Sequence, residues 1–353
     1  MRRPSARLAF CISLSLAIAA GGATTGSGGG PSRDSKLRAT LAALASRANS
    51  PGSVLLVQTP GGTWLGATGL AQLKPRRKMT PSARFRVASV TKIFTAVLVL
   101  RLVADGTLSL DDTVERWLPG RLPSNAGAAI TVRDLLGHTS GIADPVERLS
   151  EAGPDLIAGP PGPYRYANRN YVLLGRIVEA ATGSMYGEVL AERILVPLGL
   201  ARSELATRDG VPTGLAHGYL PAEPRLDVTV LPATGPHAGL VSTAADLARF
   251  ERALFSGRVI PRELVATMQT PGSVIGYATA GYNAYGFGLM RYASKCGPAW
   301  GHRGGVPGYT SFLLSTADGK RTVVALLNVG EVSHAVLMGA KGINRFVTAA
   351  LCT

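Results

Sequence analysis

The 353 residues include only three cysteines, five histidines and 6% aromatic side chains. The histidines, at 138, 217, 237, 302 and 334, are scattered and no His-Glu-x-x-His occurs, so a metallohydrolase with clustered ligands is not supported and no cofactor is expected. Gly-x-Ser-x-Gly is also missing, which removes the nucleophile elbow of a conventional α/β-hydrolase. Long apolar runs are scarce. The first, Leu8 to Ala20 behind Arg2, Arg3 and Arg7, is too short for a convincing membrane span and reads as an export signal over residues 1–20. A Gly/Ser/Thr-rich leader follows over residues 21–33. Cys11 lies inside the apolar run, away from a lipidation boundary.

Lysine is scarce too, seven of 37 basic residues, yet the formal net charge is +15 and stays at +12 without the three leading arginines. A basic surface favours anionic partners. Nucleic acid fits poorly with export and with the lack of aromatic interleaving in the basic stretches; an anionic cell-wall surface fits better, and a general preference for arginine would produce the same charge. Export leaves Cys296 and Cys352, either as one structural disulfide or as two buried thiols.

The remainder, 34–353, is long and apolar enough (46% hydrophobic overall) for one large domain or two intimately packed ones. Strand patterns fall at Gly52 to Thr59, Thr63 to Thr68, Phe287 to Tyr292, Tyr309 to Thr316 and Thr322 to Val329. Helical patterns fall at Val90 to Ala104, Val132 to Leu136, Asn168 to Thr182, Tyr186 to Leu195, Ala244 to Phe255, Pro261 to Gln269 and Ser333 to Leu351. Gly153 to Pro163 reads as a Pro/Gly-rich loop. The fold class is therefore α/β in the α+β sense. One antiparallel sheet is assembled from both chain ends (about 34–88 and 273–353), flanked by helices, with a mostly helical region inserted at about 89–272.

Three short elements could carry chemistry. Ser89-Val90-Thr91-Lys92 follows a strand-like Phe85 to Ala88 and opens an apolar helix. The i,i+3 spacing sets Ser89 and Lys92 on one helix face, near free N–H groups that could receive an oxyanion. Lys92 could accept the serine proton if burial removed its own. Tyr166-Ala167-Asn168 offers a phenol that can share a proton and an amide that both donates and accepts. His302-Arg303-Gly304-Gly305 could line a cleft from an edge strand, its small residues admitting a substrate backbone. Each alone has a bland alternative: a serine N-cap with a surface lysine, a core tyrosine with an asparagine cap, a glycine-rich turn with a satisfied histidine.

Their order, Ser-x-x-Lys, Tyr-x-Asn, His-x-Gly, resembles the serine β-lactamase and low-molecular-weight penicillin-binding protein superfamily. Within it the chain is similar to the branch of class C β-lactamases, secreted D-alanyl-D-alanine carboxypeptidases and related esterases. Val132 to Gly141, Tyr166 to Gly175, Gly239 to Phe250, Tyr285 to Leu289 and Gly301 to Tyr309 all agree with that branch. The secreted streptomycete carboxypeptidase/transpeptidases look most similar, through Leu215 to Tyr219, Ala317 to Arg321 and the placing of Cys296 and Cys352, which adds support for their pairing.

The resemblance implies a β-lactamase/transpeptidase-like fold and a serine-type D-Ala-D-Ala carboxypeptidase. In it Ser89 is acylated, Lys92 and Tyr166 relay its proton, Asn168 holds the substrate amide, and the N–H groups of Ser89 and Gly305 form an oxyanion hole. It also implies a peptidoglycan peptide or other small acyl donor and β-lactams as covalent ligands; a monomer is expected. A β-lactamase, an esterase or D-amino-acid amidase, and a catalytically silent binding protein are the alternatives. Two positions depart from the pattern. Arg303 stands where the streptomycete enzymes have a threonine that binds the substrate carboxylate, and Met290, followed by Arg291, stands where they have an arginine sharing that task. Either Arg303 supplies the anchor, since a guanidinium can hold a carboxylate bidentately, or the anchor is lost and other acyl donors are preferred.

Overall fold

The computed structural model describes residues 32–122, 126, 128–144, 159–207, 210–274, 282–330 and 342–353. The expected export signal, the leader up to residue 31, residues 153–158 of the Pro/Gly-rich loop and residues 333–341 of the expected last helix lie outside them.

Strands β1 (Gly52–Thr59), β2 (Gly62–Gln72) and β3 (Arg77–Lys78) come from the start of the chain. From its end come β7 (Ser273–Val274), β8 (Tyr282–Tyr285), β9 (Met290–Tyr292), β10 (Ala299–Val306), β11 (Tyr309–Thr316) and β12 (Thr322–Leu327). Among the described residues these nine form one antiparallel sheet in the order β3-β2-β1-β12-β11-β10-β9-β8-β7. β1 and β12 close it, pairing Val54 with Leu326 and Leu56 with Val324.

β1 and β12 read as continuous apolar runs because both faces of the sheet are covered. Val54, Leu56, Val324 and Leu326 join one hydrophobic cluster; Leu55, Val57, Val323 and Ala325 join another. On the first face lie α2 (Thr91–Ala104), α3 (Val114–Trp117), α4 (Val132–Gly137), α5 (Asn168–Thr182), α6 (Tyr186–Leu190), α7 (Ala244–Phe255) and α8 (Arg262–Met268). α2 is the hub. Eleven of its fourteen residues are buried, so it is apolar all round, as a helix enclosed by other elements must be. Phe94 stacks on Phe250 of α7 with ring centroids 3.7 Å apart, which adds about 0.5–1.5 kcal/mol beyond area burial.

The second face is covered by α1 (Arg33–Arg47) and α9 (Ile343–Leu351). α1 was not among the sequence expectations, although Leu37, Leu41 and Leu44 repeat at helical spacing and are buried together. One further expectation is corrected and one is refined. The strand expected over Phe287 to Tyr292 is confined to β9, because Gly286 N donates to Leu289 O at 2.8 Å and Gly288 takes φ +71° in a turn. A Cβ on Gly288 would sit 2.7 Å from Ala96 Cβ, so glycine lets this turn press on α2. The mostly helical region also carries two short strands: β5 (Glu204–Leu205) and β6 (Leu240–Ser242) join β4 (Phe85–Arg86) in a small sheet ordered β4-β6-β5. The last two cysteines lie together, Cys296 before β10 and Cys352 after α9, with Cα atoms 5.6 Å apart, a spacing a disulfide spans without backbone movement. Among the described residues no helix is long and apolar enough to cross a membrane.

Candidate active site

β4 leads into a single 3₁₀ turn, Ala88–Val90, that carries Ser89 and runs straight into α2. Ala88 has φ +50°, a left-handed conformation that costs a non-glycine residue about 1–3 kcal/mol and persists only where the surroundings enforce it. Three side-chain bonds and one backbone bond do so. Thr91 Oγ1 donates to Ala88 O at 2.6 Å and accepts Leu240 N at 3.0 Å; Ser311 Oγ donates to Val87 O at 2.7 Å; Val87 N donates to Leu240 O at 3.0 Å. The turn is thus pinned to both sheets.

Lys92 projects from the first turn of α2 with none of its surface exposed. Its Nζ donates to Ser89 Oγ at 3.1 Å, Asn168 Oδ1 at 2.8 Å and His237 O at 2.9 Å, and lies 5.0 Å from the Tyr166 ring centroid. Burial drives its pKa down to about 7, opposed by the charge of Asp144. On the other side of the serine, Tyr166 OH donates to Ser89 Oγ at 3.0 Å, and burial holds this phenol above its ordinary range. The two halves of the expected constellation therefore meet at one oxygen. One is an amine that gives up its proton near neutrality; the other is a phenol that keeps its own.

The third element lies alongside. β10 pairs with β11 along its whole length but with β9 only over Ala299, Trp300 and Gly301. Residues 302–306 therefore have no strand partner on that side among the described residues, which leaves an open edge where an extended chain can add. Gly304 lets this edge reach the serine turn. A Cβ there would collide with Val87 O, lie 2.5 Å from Ser311 Oγ and 3.0 Å from Ala88 Cβ. Gly304→Val is accordingly expected to push β10 off the 3₁₀ turn, lowering kcat/KM by about 10²-fold or more and stability by about 1–3 kcal/mol. Steady-state rates and denaturant melts check both. Gly305, next along, is exposed and a side chain there would meet open space.

His302 is buried. Its Nδ1 donates to Arg303 O at 2.5 Å, leaving Nε2 to accept Tyr285 OH at 3.3 Å. Burial first, then the charge of Lys92, pull its pKa to about 3, so it is a neutral wall of the site. Arg303 is half-buried, its guanidinium carbon 5.7 Å from the Tyr282 ring centroid and its Nε enclosed without a hydrogen-bond partner. Met290 is buried in the second hydrophobic cluster, so its thioether is a core side chain.

Several residues of the site were not singled out from sequence. Asp144 accepts the N–H groups of Asn168 at 2.6 Å and Arg169 at 3.1 Å, capping α5, whose own N-cap residue Ala167 has no side chain for the task. His138, weighed in sequence only as a possible metal ligand, ends α4 with φ 57° and packs its ring 4.5 Å from that of Tyr166. Its Nδ1 accepts Ala167 N at 3.3 Å and Asn170 Nδ2 at 3.0 Å, while Asn170 Oδ1 accepts Ser140 Oγ at 2.6 Å. This buried chain fixes the backbone between Tyr166 and Asn168. Its only sequence signal was membership of the Val132 to Gly141 segment. His237 contributes a carbonyl, which no side-chain motif can announce.

The beta-lactamase family model matches residues 37–339. Penicillin-binding protein 4 of Amycolatopsis lactamdurans is 30% identical over 320 residues, spanning 82% of this chain and 84% of that one. Two solved structures superpose closely. The D-stereospecific amidohydrolase from Streptomyces sp. does so with a TM-score of 0.75 at 30% identity, over 89% of this chain and 98% of its own. The D-amino acid amidase from Ochrobactrum anthropi SV3, complexed with L-phenylalanine amide, does so with a TM-score of 0.79 at 28% identity, over 90% and 98%. With its sheet, its helical layer and its three motif segments gathered at one point, the chain belongs to the beta-lactamase family.

Proposed function

We propose that this protein is an exported serine hydrolase that cleaves amide bonds through an acyl-enzyme on Ser89, with D-alanyl-D-alanine ends of peptidoglycan stems as its substrate. The observation that carries the reading is the convergence of Lys92 Nζ (3.1 Å) and Tyr166 OH (3.0 Å) on Ser89 Oγ beside the open edge of β10. In this reading Lys92 takes the Ser89 proton as Oγ bonds to the carbonyl carbon, since its amine is neutral above about pH 7. The proton passes through Tyr166 to the leaving nitrogen as the C–N bond breaks, and water then reverses the sequence to release the acid. Asn168 Nδ2 holds the acyl-side carbonyl, and the N–H groups of Ser89 and Gly305 receive the oxyanion.

The choice of a carboxylate-bearing leaving group rests on Arg303. Its guanidinium sits on the open edge of β10 beside the Tyr282 ring, and a guanidinium can hold an arriving carboxylate bidentately. Arg303→Ala is expected to lower kcat/KM for D-alanine release from a D-Ala-D-Ala peptide by about 10–100-fold. It should leave ammonia release from D-phenylalanine amide, which has no carboxylate, unchanged. Equal rates of D-alanine release by both proteins would refute the anchor. The second reading, a D-amino-acid amidase, draws on the fold likeness to the two amide-cleaving enzymes, and would appear as ammonia release exceeding D-alanine release in the wild type. β-Lactams enter either reading as slow acyl donors. Export and an oxidised Cys296–Cys352 pair complete the proposal, the bridge tying α9 to the start of β10.

A further inference from the structure

Lys92 is an enclosed amine whose three hydrogen-bond acceptors, Ser89 Oγ, Asn168 Oδ1 and His237 O, are all uncharged. A buried ammonium without a carboxylate is strongly disfavoured, so the source of its counter-charge matters. The titratable groups packed around it come from five directions: Tyr166 and Tyr171 on and before α5, His138 at the end of α4, His237 before β6, His302 on β10, and Asp144. The three histidines are held neutral by burial, and the two phenols are pushed above their ordinary range. Asp144 is the remaining group, and its carboxylate already binds the N–H groups of Asn168 and Arg169.

We infer that Asp144 is a positioning residue for acylation, seating Asn168 through the N-terminus of α5 and serving, one residue removed, as the counter-charge of Lys92. The role rests on the proposed part of Ser89 and Lys92 as nucleophile and base. It has two separable components. The hydrogen bonds place Asn168 Oδ1 at Lys92 Nζ, and the negative charge offsets part of the effect of burial on the amine. Substitution by asparagine keeps an oxygen for one N–H and removes the charge; substitution by alanine removes both.

The test follows the rate of Ser89 acylation by a fluorescent penicillin against pH, in the wild type, Asp144→Asn and Asp144→Ala. In the wild type the rate should rise with pH through about 7, where Lys92 loses its proton. Without the negative charge the amine deprotonates more readily, so in Asp144→Asn the rising limb should move to lower pH by roughly 0.5–1 unit. Asp144→Ala should show the same displacement together with a lower plateau. A role confined to capping α5 would depress the plateau and leave the limb in place, and that result overturns the inference. Absence of any Ser89 adduct in the wild type overturns the acyl-enzyme reading, and this role with it. An adduct with an unmoved limb in Asp144→Asn overturns only the role of Asp144.

Discussion

Replacing Ser89 by alanine is expected to lower amide and ester turnover by about 10⁴-fold or more, down to the residual rate that binding and an oxyanion site alone provide. The size follows from the geometry. Among the described residues, the hydrogen bonds from Lys92 and Tyr166 both end on Ser89 Oγ and on no other nucleophile. The turn that carries it is fixed independently of that oxygen, by Thr91, Ser311 and the Val87–Leu240 backbone bond. The variant should therefore fold and melt like the wild type while losing activity, and a thermal melt beside the rate measurement separates loss of chemistry from loss of structure.

Lys92→Met is expected to act almost as strongly, by about 10³–10⁴-fold, within the range a positioned base contributes. Methionine fills most of the same enclosed volume and accepts no proton. The informative part is the pH profile. Burial, partly offset by Asp144, brings Lys92 to about 7. Below that pH the amine is charged and cannot take the Ser89 proton, so wild-type kcat/KM should fall tenfold per unit as pH drops below about 6. His302 and His237, at about 3, remain neutral through this range and cannot generate the limb. In Lys92→Met the residual rate should lose the limb altogether. A limb near 7 that survives the substitution would assign the base elsewhere.

Much of this was legible in the sequence, and the reasons differ by element. β1 and β12 were visible because their β-branched and aliphatic runs are short and bounded by turns, α5 and α7 because their apolar residues follow helical periodicity, and α2 because its apolar run is too long for a strand and stops at Gly106. The serine turn could be placed as the junction of a strand and an apolar helix, although the left-handed backbone at Ala88 has no residue-type signal. α1 was hidden by its position next to a leader-like segment, not by its pattern. The small β4-β6-β5 sheet escaped because two- and three-residue strands are defined by their partners more than by their own sequence.

At the site, the side chains to which the proposal gives direct roles were carried by motifs, and those that position them were not. Asp144 caps a helix 24 residues downstream, His138 works through a ring face and a backbone N–H, and His237 works through its carbonyl. These are long-range relations that local spacing cannot encode. The sequence raised the question of Arg303 and Met290 without answering it. Met290 belongs to the core behind the sheet, whereas Arg303 stands at the free edge of β10 beside Tyr282. The proposed choice of substrate therefore rests on Arg303.

The proposed mechanism requires that Ser89 become covalently acylated. Intact-protein mass spectrometry after incubation with a penicillin, followed by peptide mapping, tests it most directly. The result predicted is a mass increase of one penicilloyl group located on the peptide containing Ser89-Val90-Thr91-Lys92, absent in Ser89→Ala. Turnover of amide or ester substrate that persists in Ser89→Ala, or an adduct mapped to any other residue, would contradict it.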